Sequence, residues 1–371
     1  MVKRAIIAIF ASMIIVRLLL LPISFLYGVV TFLRNKLYDT GLLKSTGFDL
    51  PVISVGNITV GGTGKTPQIE YLVRLLQDSF RVVTLSRGYK RKTKGFHLAN
   101  NTSTFQDIGD EPLQFSNKFP KISVAVDEKR VMGINKILDV LPETEIILLD
   151  DAFQHRSVVP GLNILLIRYS DIGERQYMMP SGYLREWRRG RNRADIIVVT
   201  KAPPVFSPIE ARRITDIIKP FPYQKVYYSY IKYLEAQPFT DGAKDFLLNV
   251  DNFSLQDNKV LLVTGIAQTS SLKFYLEKNS KQVLCSEFGD HHEFTMADLL
   301  RIINEFDEIL SPKKIIITTE KDSMRLRDER LYPIIKDLPI FFIPIEVLIH
   351  HNEDSFDLTV NKYVQRDKRS R

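Results

Sequence analysis

The chain has 371 residues, 44% of them hydrophobic, enough to bury the cores of two domains or of one domain with a large insertion. A single cysteine, Cys285, excludes an internal disulfide framework and any CxxC-type zinc cluster, and a reducing compartment suits that composition best. Lys and Arg outnumber Asp and Glu by 51 to 43, a net charge of +8 that favours an anionic partner; without an RNP-type aromatic motif, a zinc finger or a basic repeat, nucleic acid ranks below acidic lipid and phosphorylated substrates.

Residues 5–16 and 18–33 are almost wholly apolar and are separated only by Arg17. A spanning helix needs about 20 apolar residues without a central charge, and Arg17 and Pro22 interrupt this run near its middle. The first expectation is therefore a helix or helical hairpin lying at a membrane surface, with Arg34 and Lys36 at the headgroups. A spanning anchor is the second reading. A buried core helix or a signal peptide is the third, although no small-x-small cleavage site follows Val16.

From Pro51 onward, short β-branched runs alternate with longer amphipathic segments, the pattern of βαβ units in a mostly parallel sheet. Strands are expected at 52–55, 81–85, 122–126, 145–149, 162–167 and 196–200, and helices at 66–77 and 131–140, where apolar residues recur three and four apart. The prolines at 203, 204 and 208 suggest a boundary, beyond which runs at 226–230, 260–264, 315–318 and 340–345 suggest a second, smaller α/β lobe. The resulting expectation is a P-loop NTPase-type α/β core, its sheet flanked by helices, divided as a membrane-associated segment 1–40, a core 41–204, a smaller lobe 205–355 and a basic tail 356–371. Such a tail is more often disordered than specific.

Val52-Ile-Ser-Val-Gly-Asn-Ile-Thr-Val-Gly-Gly-Thr-Gly-Lys-Thr66 puts a glycine-rich loop between an apolar strand and a helix, the setting a Walker A loop requires. Gly61, Gly62 and Gly64 let backbone N–H groups close around phosphate oxygens, with Thr59, Val60 and Thr63 completing the loop. Lys65 can reach the β- and γ-phosphates of a nucleotide, and Thr66 can hold Mg²⁺ at the positive end of the next helix. Thr59 stands where the usual GxxxxGK[ST] pattern has its first glycine, and Val60 stands where partition-type ATPases carry a signature lysine.

Glu145-Ile-Ile-Leu-Leu-Asp-Asp151 ends an apolar strand in two acids, as a Walker B segment does; the alternative is that Asp150 and Asp151 cap a turn. Asp110 and Glu111 lie between Gly109 and Pro112, where they either serve the chemistry or complement a helix dipole. Gly289-Asp-His-His-Glu293 holds two of the six histidines. One of them, oriented by an acid, could accept a hydroxyl proton; a plain surface turn or a metal site are the other readings, and adjacent residues rarely turn both side chains to one ion. Residues 185–193 carry five arginines and the only tryptophan, Trp187, suited respectively to phosphate oxygens and to a membrane interface, or else forming a solvated loop.

These residues converge. Leu-Pro-Ile-Ser-Phe-Leu-Tyr-Gly (21–28), the loop with its flanks (51–67), Ser-Arg-Gly-Tyr (86–89), Gly-Asp-Glu-Pro (109–112), Asp-Asp-Ala-Phe-Gln-His (150–155), Asp-His (290–291) and Thr-Glu-Lys-Asp (319–322) resemble the motifs of the tetraacyldisaccharide 4'-kinases, over nearly the whole chain after about Leu18. Thr59 is part of that likeness. The resemblance implies transfer of the γ-phosphate of ATP, with Mg²⁺, to the 4'-hydroxyl of a tetraacylated glucosamine disaccharide 1-phosphate at the cytoplasmic face of a bacterial inner membrane. It implies an acylated lipid substrate and a membrane surface as partners, and neither nucleic acid nor an obligate protein partner. It assigns Asp110 and His291 to a base dyad, Lys65 to the nucleotide, Asp150 and Asp151 to the Walker B acids, and Thr66, Asp150 and Glu111 to the metal. Gln154 and His155 fall in the same matched motifs, on the acceptor side with Arg185.

Two departures stand out. Ala152-Phe153 replaces the usual Gly-Leu, which removes a glycine, and the first sixteen residues extend beyond the family pattern. Two rival classes are a membrane-bound GTPase switch, which Thr200-Lys201 faintly suggests although Pro203 occupies the aspartate position of [NT]KxD, and a nucleotide-gated adaptor without catalysis.

Overall fold

The computed structural model describes residues 2–250, 253–351 and 355–369, with side chains from residue 16 to 366 within those ranges. The chain divides into two compact units, one made of Met1–Arg87, Lys121–Ile231 and Val347–Arg371, the other of Gly88–Pro120 and Lys232–Glu346.

In the first unit the strands are β1 (Val52–Asn57), β2 (Val82–Ser86), β3 (Ser123–Val126), β4 (Ile146–Asp150), β5 (Leu162–Arg168), β6 (Ile196–Thr200) and β7 (Lys225–Tyr233). They pair in parallel in the order β7-β6-β5-β1-β4-β2-β3. Strands β1, β2, β4 and β6 are buried at every position, as a parallel sheet covered on both faces requires. The helix Lys65–Leu76 buries Ile69, Leu72, Val73 and Leu76, the expected stripe of three- and four-residue spacing. Strand order reverses about β1, so the crevice at its carboxyl end is where such a sheet binds its ligand.

The proline-rich stretch does not end this sheet. Ser207 caps a helix, Pro208–Ile218, by accepting from the Glu210 amide, and β7 then adds in parallel to β6. Proline in the first helical turn is a start signal, because its missing N–H would be unpaired there in any case. The far end of the chain also differs from expectation: Phe356–Arg369 is a helix, not an unstructured basic tail. Phe356, Val360 and Val364, four residues apart, form a buried stripe, and the Tyr71 hydroxyl donates to Asp357 at 2.6 Å.

The N-terminal segment is one helix, Val2–Asp39, with Pro22 inside it, so the hairpin is not formed. Its 24-residue part Val16–Asp39 is long and apolar enough to cross a membrane. The polar side of this part is docked. Ser24 Oγ donates to Ser181 Oγ at 2.8 Å, the Tyr27 hydroxyl donates to the Arg185 carbonyl at 3.0 Å, and Trp187 Nε1 donates to the Gly28 carbonyl at 2.9 Å. Leu19, Phe25 and Leu26, on the other side, are 72%, 67% and 63% exposed.

The second unit holds a five-stranded sheet ordered Gln282–Glu287, Lys259–Thr264, Lys314–Thr319, Ile340–Ile343, Gln237–Pro238, antiparallel only at the last pair. Leu261, Val263, Ile302, Phe306 and Ile316 centre its core. Pro344 ends the run read as 340–345, since it has no N–H to donate. The strand Gln282–Glu287 is an edge strand with Gln282, Leu284 and Glu287 exposed and only Ser286 buried, which is why its composition shows little strand signal. To this lobe the segment Gly88–Pro120 contributes the helix Asp110–Lys118, drawn from a stretch far earlier in the chain.

Candidate active site

In the first unit the loop after β1 is built as its glycines demand. Gly61 and Gly64 have φ of 98° and 87°, values a side chain makes costly, and Gly64 stands as the N-cap of Lys65–Leu76. The entrance is pinned: Thr59 bridges Leu184, and the Val60 amide donates to the Tyr183 carbonyl at 2.7 Å, so the part free to wrap an anion begins at Gly61. Gly62 is half-buried beside it, whereas Thr63 is buried, its hydroxyl accepting from Asn57 Nδ2 at 2.8 Å and its carbonyl from the Thr200 hydroxyl at 2.7 Å. Thr66 follows Lys65 in the first turn of the helix.

Register places Asp150 opposite Val55, at the carboxyl end of β4 beside the loop strand. Asp150 is 2% exposed, and its carbonyl accepts from Arg130, itself buried beneath the strand end. Asp151 is the next residue and turns the other way, with φ of 48°. Its carboxylate lies 3.4 Å from Lys65 Nζ and accepts from Arg185 Nη1 at 2.9 and 3.0 Å. Burial pushes the Asp151 carboxyl up, but the Lys65 and Arg185 charges outweigh that and hold it below the usual carboxylate range. The positive φ falls on Asp151 and not on Ala152, so the missing glycine costs this turn nothing.

Gln154 Nε2 donates to the Asn57 carbonyl at 2.8 Å and to Glu186 Oε1 at 2.9 Å. Its backbone carbonyl accepts from Arg34 of the N-terminal helix at 3.2 Å. Burial and the neighbouring Arg130 charge push His155 down to about 4, so its ring is neutral near pH 7. The arginine-rich stretch is largely engaged: Arg185 with Asp151, Arg193 with Glu186 at 2.8 Å, and Arg188 with the Glu174 carbonyl.

In the second unit Asp110 opens its helix and is 6% exposed. Asp110 Oδ2 lies 2.9 Å from His291 Nδ1, joining residues 181 apart in sequence. Burial would raise the Asp110 carboxyl, but the hydrogen bond from His291 and the Lys321 charge bring it down to about 2. His291 sits at φ 52°, its amide donating to the Gly265 carbonyl at 3.1 Å and its ring edge-on to Tyr89. His292 turns away to Asp298 at 2.9 Å and stacks on Phe288, so the adjacent histidines do not converge on one ion. Glu111 Oε1 accepts from Lys321 Nζ at 2.9 Å. Burial opposes the Lys321 charge, but Glu111 and Asp110 outweigh it and raise the ammonium above the usual lysine range. Among the described residues no group of three or more His, Cys, Asp or Glu forms a ready metal cage.

Some residues beside these groups were assigned no role from the sequence. Asn57 and Arg168 end parallel strands, a position that marks the ligand side of a sheet and could have singled them out; an Arg168 Nη1 lies 3.5 Å from where a Cβ on Gly61 would stand. Lys201, one residue past β6, is pushed down to about 8 by burial and by the Arg168 charge. Lys321 and Asp322 lie in the Thr-Glu-Lys-Asp motif, whose contacts only the fold reveals.

The chain matches the model of a family described as Tetraacyldisaccharide-1-P 4'-kinase over residues 16–365. It is 44% identical over 360 residues to the tetraacyldisaccharide 4'-kinase of Phocaeicola vulgatus, covering 95% of this chain and 96% of that protein. The enzyme of that name from Parabacteroides distasonis is 46% identical over 332 residues, with 89% of each chain covered. A crystal structure of Aquifex aeolicus LpxK in complex with ATP superposes with a TM-score of 0.70 at 28% identity, covering 95% of this chain and 99% of that one.

Proposed function

Because the chain belongs to the tetraacyldisaccharide 4'-kinase family, we propose that its phosphate loop and its Asp110–His291 pair transfer the γ-phosphoryl group of ATP to the 4'-hydroxyl of a tetraacylated glucosamine disaccharide 1-phosphate, a step of lipid A biosynthesis. The observation that carries the mechanism is the 2.9 Å contact between a buried, ionised Asp110 and His291 Nδ1. A carboxylate there fixes the ring with its proton on Nδ1 and leaves Nε2 as the acceptor.

The chemistry runs as an in-line displacement. Amides of 61–66 and Lys65 bind the triphosphate, while Arg185 and Lys65 hold Asp151 as a carboxylate at the mouth of the loop. The proton of the sugar hydroxyl passes to Nε2 as the hydroxyl oxygen bonds the γ-phosphorus. The bond to the bridging oxygen breaks with its electron pair leaving on ADP. This requires the dyad to reach the hydroxyl while the loop holds the nucleotide.

The donor set suits Mg²⁺, which takes few protein ligands, all oxygen, and completes its shell with phosphates and water. Thr66 and Asp150 supply such oxygens at the loop, and Glu111 is the further acid of this set. When bound, the ion would neutralise charge on the β- and γ-oxygens. Gln154, His155 and Arg185 are the acceptor-side residues; a neutral His155 can donate or accept a sugar hydroxyl bond without adding charge.

We place the enzyme at the cytoplasmic face of the inner membrane. What supports this is the apolar, exposed side of Val16–Asp39 and the need to meet an acylated substrate where ATP is present. Incubation with γ-labelled ATP and a defined disaccharide lipid tests the whole reading. Label is expected on the lipid, and Asp110→Ala should cut turnover by about 10²–10⁴ with little change in ATP affinity. Release of free phosphate alone would favour the switch, and Asp110→Ala turnover equal to the parent's would remove the base.

A further inference from the structure

The segment Thr319-Glu-Lys-Asp322 has no part in the transfer as described, yet the fold folds it around the dyad. Asp322, fully buried, accepts from the Thr319 hydroxyl at 2.6 Å and the Gly265 amide at 3.1 Å, and pairs with Arg325. Arg325 in turn donates to the His292 carbonyl at 3.0 Å and the Gly265 carbonyl at 3.1 Å, clamping the turn that bears His291. From this rigid base Lys321 Nζ reaches Glu111 Oε1 at 2.9 Å, His291 Nε2 at 3.1 Å and Asp110 Oδ2 at 3.9 Å.

The contact with Nε2 is the informative one. Nδ1 faces the Asp110 carboxylate, so in the neutral ring Nε2 carries the lone pair, and an ammonium can only donate to it. A cation therefore caps the one atom that has to receive the hydroxyl proton. A hydroxyl poised for transfer lies about 3 Å from Nε2 and about 3–3.5 Å from the phosphorus it attacks. Lys321 consequently starts within one swing of its flexible stem from the oxygens of the group in flight, where positive charge counts most.

We propose that Lys321 is a catalytic residue of the transfer: it caps His291 Nε2 in the resting enzyme, gives way there to the acceptor hydroxyl, and moves its ammonium onto the oxygens of the migrating phosphoryl group. Lys321 neither gains nor loses a proton. The hydroxyl proton goes to Nε2, the new P–O bond forms at the sugar oxygen, and the old one breaks toward ADP. Glu111 is the tether that keeps the ammonium nearby in the resting state. The assignment rests on the dyad reading above.

Steady-state kinetics of Lys321→Met, Lys321→Arg and Lys321→Gln test it; glutamine keeps a hydrogen-bond donor for Glu111 if the methionine variant folds poorly. We expect kcat to fall by about 100-fold in the methionine and glutamine variants, with KM for ATP and lipid within about threefold, and arginine to recover about tenfold. Sulfur accepts ammonium hydrogen bonds weakly, so the rate ratio between ATP and ATPγS should shrink by about tenfold without Lys321. A kcat within threefold of the parent overturns the assignment, as does a loss that leaves the ATP to ATPγS ratio unchanged. Asp110→Asn run alongside separates the failures: if it collapses while Lys321→Met does not, only Lys321 is misassigned, and if neither loses turnover the dyad itself falls.

Discussion

Ionised and neutral groups alternate across the two units for reasons readable residue by residue. Asp151 and Asp110 are both held as carboxylates against burial by neighbouring cations, whereas His155 is held neutral by burial among arginines. That last group makes a clean prediction. Its ordinary value of 6.5 falls to about 4 in the folded protein, so between these values the unfolded chain takes up a proton that the folded chain refuses. Stability is full above pH 6.5 and falls as pH drops through that window; His155→Gln should flatten the fall, measured by denaturant unfolding at pH 7 and 4.5. An equal slope in parent and variant would show that His155 is not buried as described. The motif Asp150-Asp151 stood out by its place after an apolar run, but the different surroundings of its two acids did not. Those follow from the left-handed turn at Asp151, which aims one carboxylate at Lys65 and leaves the other buried at the end of the central strand β4.

The N-terminal helix does two jobs with two faces. Its exposed leucines and phenylalanines offer an apolar surface, while Arg34, Asn35 and Tyr27 grip the loops that carry Gln154, Glu186 and Arg185. The hydrogen bonds continue inward: Asn35 to Glu186 at 3.0 Å, Gln154 to Glu186 and to Asn57, and Asn57 to Thr63 in the phosphate loop. The approach is tight at Gly28, where an added Cβ would stand 2.8 Å from the Trp187 ring. Gly28→Leu should therefore lower the unfolding free energy by about 1–3 kcal/mol, while Gly47→Ala, where nothing lies within 4 Å, should stay within about 0.5 kcal/mol of the parent in the same denaturant titration. Equal stabilities would mean the helix does not pack there. An apolar run of this length reads plainly as a membrane-grade helix, but its second face does not, because hydropathy counts residues and not the partners they meet.

At the scale of the whole molecule, the glycine-rich loop and the proposed proton acceptor His291 belong to different units, and ligand linkage should reveal it. Trp187 is the only tryptophan and lies in the unit that carries the loop, so its fluorescence follows that unit. ATP at about 100 times its Kd should add about 2.7 kcal/mol to the unfolding it reports. Lys65→Ala should abolish the gain and Asp110→Asn should keep it. Loss of the gain in Asp110→Asn would show that the dyad takes part in holding ATP.

The sequence by itself determined the α/β class, the phosphate loop and the strands of the parallel sheet, because those depend on short-range signals: apolar alternation, glycines at a strand-to-helix turn, acids after a buried run. The proline-rich break was read only as a boundary, whereas it holds the start of the helix Pro208–Ile218 and the sheet continues past it. What the tertiary structure alone decided is which distant residues share a site. No local pattern couples Asp110 to His291 or Lys321, since their meeting depends on the segment Gly88–Pro120 joining a lobe built mainly from residues beyond 231. Packing of remote segments sets such distances, and a lysine looks the same in sequence whether it faces water or caps the ring nitrogen of a histidine.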